Sequence, residues 1–306
     1  MINRKTCCKS RNEQLHSNIF GDKKMNYNRV LTIQDISCLG QCSLTVALPI
    51  LSACGQETVI LPSALLSTHS GGFKDFTFRD LTDDIPAIQK HWQKEGIHFD
   101  AIYTGYLGSI PEIHYVSDIL DTMGNSHCVK IVDPAMADHG KLYSHFTSEY
   151  AAEMTSLCQK ADIIIPNMTE ACMMTGLPYR ETYDQHFVMS VLETLRSIHM
   201  KTIILTGISY DEATTGVVLY EGDNFTYYSH KKLAKNSHGT GDIFASAFTG
   251  ASLSGKTLQE ACKISADFVL ACMENTQNDP DHWYGVKFEP MLGKLIEAIM
   301  CRKDME

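Results

Sequence analysis

Asn236-Ser237-His238-Gly239-Thr240-Gly241-Asp242-Ile243-Phe244-Ala245-Ser246-Ala247-Phe248 is the stretch from which the rest of the chain is read. Two glycines stand at the start of an apolar helix pattern, where they permit close backbone approach and dihedrals that other residues avoid. The amides of a first helical turn, with the positive end of the helix dipole, form an anion site there. Asp242 stands beside that anion, and two readings of it are open. It could merely cap the helix. It could instead accept a proton from an attacking hydroxyl while the amides hold a transferring phosphoryl group. A cap has no need of two flanking glycines, and a carboxylate beside a phosphate is electrostatically awkward.

Upstream, short apolar runs alternate with amphipathic stretches. Val30–Ile33, Glu57–Leu61, Ala101–Tyr103, Val129–Val132, Ile163–Ile165 and Ile203–Leu205 read as strands, mostly apolar throughout. Strands buried on both faces of a parallel sheet look like this. Helices are expected at Ser43–Cys54, Asp80–Lys94 with Asp80 as its cap, Ile113–Met123, Ser148–Lys160 and Phe187–Ile198. Gly216–Tyr220 and Asn224–Tyr228 alternate around Glu221-Gly222-Asp223, a hairpin signature. Three helix patterns, Gly241–Ser254, Leu258–Asn275 and Pro290–Ile299, finish the chain. No repeat or linker interrupts it, so 25–306 is expected to be one domain. Residues 1–24 are polar and basic, and Met25 precedes the first strand pattern; they read as an extension, or as sequence upstream of the true start.

Acidic and polar groups recur just after these strands. Asp133 and Asp138 follow Val132, Asn167 and Glu170 follow Ile165, and Thr206 follows Leu205. Ligands of open parallel sheets bind at that edge. Asn167 and Glu170, three apart, share a helix face and could reach a hydrated Mg²⁺; a plain capping pair is the alternative. Composition narrows the choice of partners. A formal charge of −10 disfavours general affinity for nucleic acid or anionic membrane, and no apolar run approaches the roughly 20 residues a membrane span needs. The 11 cysteines show no C-x-x-C pair, which suits free thiols in a reducing cytosol.

These residues resemble the ribokinase superfamily and, within it, the pyridoxal kinase family, over Asn28–Ile299. The match is carried by Gly239-Thr240-Gly241-Asp242, Pro166-Asn167-Met168-Thr169-Glu170, Asp133-Pro134 and Thr104-Gly105-Tyr106-Leu107-Gly108-Ser109. The resemblance implies an α/β fold, a ribokinase-like three-layer αβα sandwich with a central, mostly parallel sheet. It implies ATP-dependent phosphorylation of the 5′-hydroxymethyl group of pyridoxal, pyridoxamine or pyridoxine, a step of vitamin B6 salvage. Asp242 matches the general base, and Gly239, Thr240 and Gly241 match the anion hole. Asp133 and Glu170 match metal positions for Mg²⁺, while Asp138, Asn167, Thr206 and Thr240 match ATP-side positions. A monovalent cation such as K⁺ is left open. A cytoplasmic homodimer with no membrane or nucleic-acid partner is the expected setting.

On the acceptor side, Asp35 replaces the serine of the family's Q-S-H-V, which puts the ring contacts in doubt; it could pair with a protonated ring nitrogen or amine, or only cap a turn. His69 and Ser70 match ring-contacting positions, and Tyr106 and Tyr143 match pocket-lining aromatics. His230–His238 is the candidate lid. Two alternatives stay open: a hydroxymethylpyrimidine kinase of thiamine synthesis, although its G-S-D-x-S-G-G-A-G-I segment is lacking after the first strand, and a non-catalytic vitamer-binding relative.

Overall fold

The structure, a computed structural model, describes residues 27–233 and 237–301. The expected extension at 1–24 lies outside these residues. So does 234–236, part of the expected lid, which begins inside a strand.

Eleven strands run β1 (Arg29–Leu39), β2 (Glu57–Thr68), β3 (Phe78–Asp80), β4 (Phe99–Thr104), β5 (Gly124–Val132), β6 (Ala137–Asp138), β7 (Lys141–Leu142), β8 (Ile163–Ile164), β9 (Thr202–Ile208), β10 (Thr214–Glu221) and β11 (Asn224–Lys231). The helices are α1 (Leu44–Ala53), α2 (Ile85–Lys94), α3 (Ile110–Thr122), α4 (Ser148–Cys158), α5 (Met168–Thr175), α6 (Gln185–Ser197), α7 (Thr240–Leu253), α8 (Leu258–Thr276) and α9 (Leu292–Met300). Nine strands form one sheet in the order β11-β10-β9-β8-β5-β4-β1-β2-β3, while β6 and β7 form a separate small hairpin. From β2 across to β9 every pairing is parallel; β3, β10 and β11 add antiparallel edges.

Period-two burial explains why the central strands are apolar throughout. Leu31, Ile33, Ile102, Val132, Ile164, Ile203 and Leu205 pack toward α2–α6. Val30, Ala101, Tyr103, Ile131, Ile163 and Ile204 pack toward α1, α7, α8 and α9 on the opposite face. Each such aliphatic side chain stabilises the fold by about 1.5–3 kcal/mol relative to exposure. The expected sandwich, three layers around a mostly parallel sheet, is therefore the fold. The chain steps from β1 outward to β2, then returns to β4 on the other side of β1. That reversal opens a crevice at the carboxyl ends of β1 and β4, the place where open α/β sheets bind ligands.

Two boundaries differ from the sequence reading. β1 does not end at Ile33 but continues to Leu39, with a register shift between Gln34 and Ile36. Asp80 does not cap a helix: it ends β3, its carboxylate accepts from the Thr82 amide at 2.8 Å, and α2 begins only at Ile85 after a 3₁₀ turn. Among the described residues no helix is long and apolar enough to cross a membrane.

Candidate active site

Asp242 is the third residue of α7, whose N-cap is Gly239. Gly239 has φ 80°, and a Cβ there would stand 1.8 Å from the Gln41 carbonyl oxygen. Only glycine allows this approach, which presses the start of α7 against the loop before α1. Ser43, the N-cap of α1, has φ 53° and ψ −133° and makes no side-chain cap. A serine held there costs about 1–3 kcal/mol, and such strain collects at functional sites. Its backbone N–H donates to Asp242, and its hydroxyl reaches Asp35. Two helix N-termini thus converge on one half-buried carboxyl. Burial outweighs the Ser43 hydrogen bond, and with the Asp35 charge it raises Asp242 from 3.8 to about 7.

Asp35 lies within β1, buried, rather than in a turn. Its carboxylate accepts from Ser37 Oγ at 3.0 Å, and burial holds its pKa above the usual carboxylate range. Cys42 sits close by; burial and the charges of Asp242 and Asp35 push its thiol up, so it is a poor nucleophile. His69 is buried, and both of its nitrogens are engaged by backbone. Nε2 lies 2.6 Å from the Tyr284 carbonyl, and Nδ1 accepts from the Gly71 amide at 3.0 Å. That pattern fixes a neutral ring protonated at Nε2, and desolvation lowers its pKa. His69 therefore presents a ring surface, not a hydrogen-bonding edge. Phe73 packs on it at 5.1 Å and on Trp283 at 4.6 Å. Ser70 is exposed beside it.

Along the crevice, Asp133 ends β5 buried, and no hydrogen bond reaches its carboxylate among the described residues. Burial, then the Glu170 and Asp242 charges, push its pKa far up. Asn167 and Glu170 form a capping box on α5: Glu170 N–H donates to Asn167 Oδ1 at 2.9 Å, and Asn167 N–H to Glu170 Oε2 at 2.8 Å. Glu170 Oε1 also accepts from the Met136 amide at 3.1 Å, and Asn167 Nδ2 donates to the Ala137 carbonyl at 2.8 Å. The pair clamps the turn carrying Asp133 to α5. Burial is the largest influence on Glu170 and raises it to about 8 despite these donors. Thr206 pairs its amide (2.9 Å) and hydroxyl (3.3 Å) with the Pro166 carbonyl, beside Asn167. Asp138 is exposed on β6, next to His139.

Tyr143 is not a core residue. It is 41% exposed, although burial of its hydroxyl among Glu170, Asp133, Asp138 and Asp242 pushes its ionisation up. Tyr106 is half-buried, stacked on Phe146 at 5.5 Å; burial and Asp35 raise it to about 12. Asp35, Tyr106, Asp133, Glu170, Tyr143 and Asp242 thus line one recess, with Thr206 and Asp138 at its far rim. No group of three or more His, Cys, Asp or Glu placed to hold a metal occurs among the described residues.

Several contributors escape a sequence reading. Ser43 carries no local signal of its conformation. Glu112 is buried in α3, accepting from the Gly108 amide and from Thr82 Oγ1 at 3.0 Å, and so ties down the Tyr106 loop. The Ser109-x-x-Glu112 spacing was its legible signal. His282-Trp283-Tyr284-Gly285 lies over the Gln41 and His69 loops, with His282 Nε2 2.7 Å from Gln41 Oε1.

A family model described as phosphomethylpyrimidine kinase matches residues 72–286. A Bacteroides thetaiotaomicron protein provisionally named a phosphomethylpyrimidine kinase, in its orthorhombic form with pyridoxal, is 33% identical, with TM-score 0.82 over 92% of this chain and 98% of its own. Pyridoxal kinase from Lactobacillus plantarum is 30% identical, with TM-score 0.82 over 88% and 96%. The hydroxymethylpyrimidine/phosphomethylpyrimidine kinase of Bacillus subtilis is 27% identical over 81% of this chain and 83% of its own.

Proposed function

Since this chain belongs to the phosphomethylpyrimidine kinase family and is a kinase, we propose that it transfers the γ-phosphoryl group of ATP to the 5′-hydroxymethyl group of a pyridoxal-type vitamer. Asp242 carries the reading. Its carboxyl lies where two helix N-termini meet, with a pKa of about 7. A general base works best with its pKa near the operating pH. Asp242 takes the hydroxymethyl proton as that oxygen attacks phosphorus, and the amides of Gly239, Thr240 and Gly241 hold the transferring group. Phosphoryl transfer needs positioning and charge neutralisation more than covalent help.

The acidic floor of the recess fits a divalent cation. Asp133 is a buried carboxylate without a hydrogen-bond donor among the described residues, facing a second carboxylate. Asp133 and Glu170 would hold Mg²⁺, which when bound supplies positive charge beside the phosphates; Glu170, already accepting backbone N–H bonds, would act through water. Thr206, Asn167 and Asp138 line the nucleotide side. Asp35, Ser70, Tyr106, Tyr143 and the ring of His69 form the acceptor side. The Bacteroides thetaiotaomicron relative, described with pyridoxal, supports that acceptor.

The second reading, hydroxymethylpyrimidine as acceptor, is favoured by the family description and the Bacillus subtilis relative. A coupled assay of ATP consumption with pyridoxal, pyridoxamine, pyridoxine and hydroxymethylpyrimidine, each alone, separates the two. A vitamer should exceed the pyrimidine in kcat/KM by about tenfold or more. The reverse order establishes the second reading, and ATP consumption indifferent to every acceptor ends both. Asp242→Asn should lower kcat by about 10²–10⁴-fold with the KM for ATP retained.

A further inference from the structure

The sheet face beneath α7 is apolar except for one column. Thr32, Gln34, Tyr103, Ser246 and Thr249 lie there with no exposed surface. Gln34 Nε2 donates to Thr32 Oγ1 at 2.9 Å. Gln34 Oε1, Tyr103 Oη, Ser246 Oγ and Thr249 Oγ1 have no hydrogen-bond partner among the described residues. Ser246 and Thr249 follow Asp242 by four and seven positions on α7, so the three share one helix face. Bare Gly105 leaves room for Gln34, which a Cβ there would approach to 2.8 Å. The Tyr103 hydroxyl sits next to Ser246 and Gln34. The charges of Asp133 and Asp242 bear on it as well, after burial itself.

A buried hydroxyl without a partner costs about 1–3 kcal/mol. Phenylalanine would fill the same volume in this layer without that cost, so packing gives no account of the oxygen. Its position one helical turn beneath Asp242, and beside Asp133, does. We infer that Tyr103, together with Ser246, is a positioning residue of the transfer site: its O–H donates toward the Asp133 and Asp242 carboxylates and fixes them for the incoming hydroxyl and phosphate. Having no exposed surface, it touches neither substrate. The inference rests on Asp242 as the base.

Steady-state kinetics and melting temperature of Tyr103→Phe, Ser246→Ala, Asp242→Asn and Tyr210→Phe test it. Tyr210 carries another buried, unpartnered phenol oxygen, but its neighbours are Tyr183, Tyr227 and Asp184. Tyr103→Phe should lower kcat by about 10–100-fold, as loss of a group supporting the reacting residues does elsewhere. Neither KM should change, and the melting temperature should be equal or higher. Ser246→Ala should shift kcat in the same direction, while Tyr210→Phe leaves it at the wild-type value. An unchanged kcat in Tyr103→Phe beside an inactive Asp242→Asn overturns the inference alone. Equal kcat losses in Tyr103→Phe and Tyr210→Phe overturn it as well. An active Asp242→Asn overturns the base assignment, and the inference with it.

Discussion

Replacing Glu112 by glutamine should change how stability depends on pH. Burial raises this carboxyl from 4.5 to about 7, against the opposing hydrogen bonds of Gly108 and Thr82. A group whose folded pKa exceeds its unfolded value keeps its proton longer in the folded state. Stability is therefore lost as pH rises from about 4.5 toward 7, then levels off. Integrated between pH 5 and pH 8, the shift corresponds to about 2.5 kcal/mol. Glutamine carries no charge and fits the same partners. Its oxygen can accept from Gly108, and its amide can donate to the Thr82 hydroxyl, which itself donates to Asp80 at 2.5 Å. Urea denaturation of the ligand-free protein at pH 5, 6, 7 and 8 is the assay. The variant should gain about 2.5 kcal/mol on wild type across that range, with nearly all of it above pH 5.5. Parallel pH profiles for the two proteins would refute the reasoning, whatever their absolute stabilities.

Gly239→Ala places a Cβ against the Gln41 carbonyl at positive φ; the strain of about 1–3 kcal/mol should displace the start of α7, so that kcat collapses while circular dichroism stays close to wild type. Asn167→Ala removes the α5 cap and the tie to Ala137, and should lower stability by about 1–2 kcal/mol, with a rise in the KM for ATP as the Asp133 turn loosens. Asp35→Asn should weaken pyridoxamine more than pyridoxal in competition kinetics, because a charge-assisted hydrogen bond is lost only with the cationic acceptor; equal losses would exclude that pairing.

The central strands were legible because burial on both faces leaves continuous apolar runs. β1 was read four residues into an eleven-residue strand, since Gln34, Asp35 and Ser37 look like loop residues. They are polar because they face the recess, not because the strand stops. Asp80 was misread for the converse reason: Leu81, Ile85, Ile88 and Trp92 keep a helical spacing through a 3₁₀ turn, and nothing in that spacing marks the break. The two-residue strands β6 and β7 fall below any periodicity.

At the site, the acids after each strand could be named from sequence. Their engagement could not. The capping box of Asn167 and Glu170 and the two occupied nitrogens of His69 are set by backbone geometry. Tyr103 reads simply as a strand aromatic until the helix above it is in place.

The bond between His69 and the Tyr284 carbonyl spans 215 positions, and it orders events during synthesis. A ribosome that has translated β1 through α7 has released the base and the phosphate-side acids, but the wall over the vitamer side lacks its last layer. Only when the His282–Gly285 segment emerges can the Gln41 and His69 loops be held from above. Nascent chains are thereby kept from binding acceptor until nearly the whole polypeptide exists, and a label or fusion placed near this segment would act on the acceptor rather than on ATP.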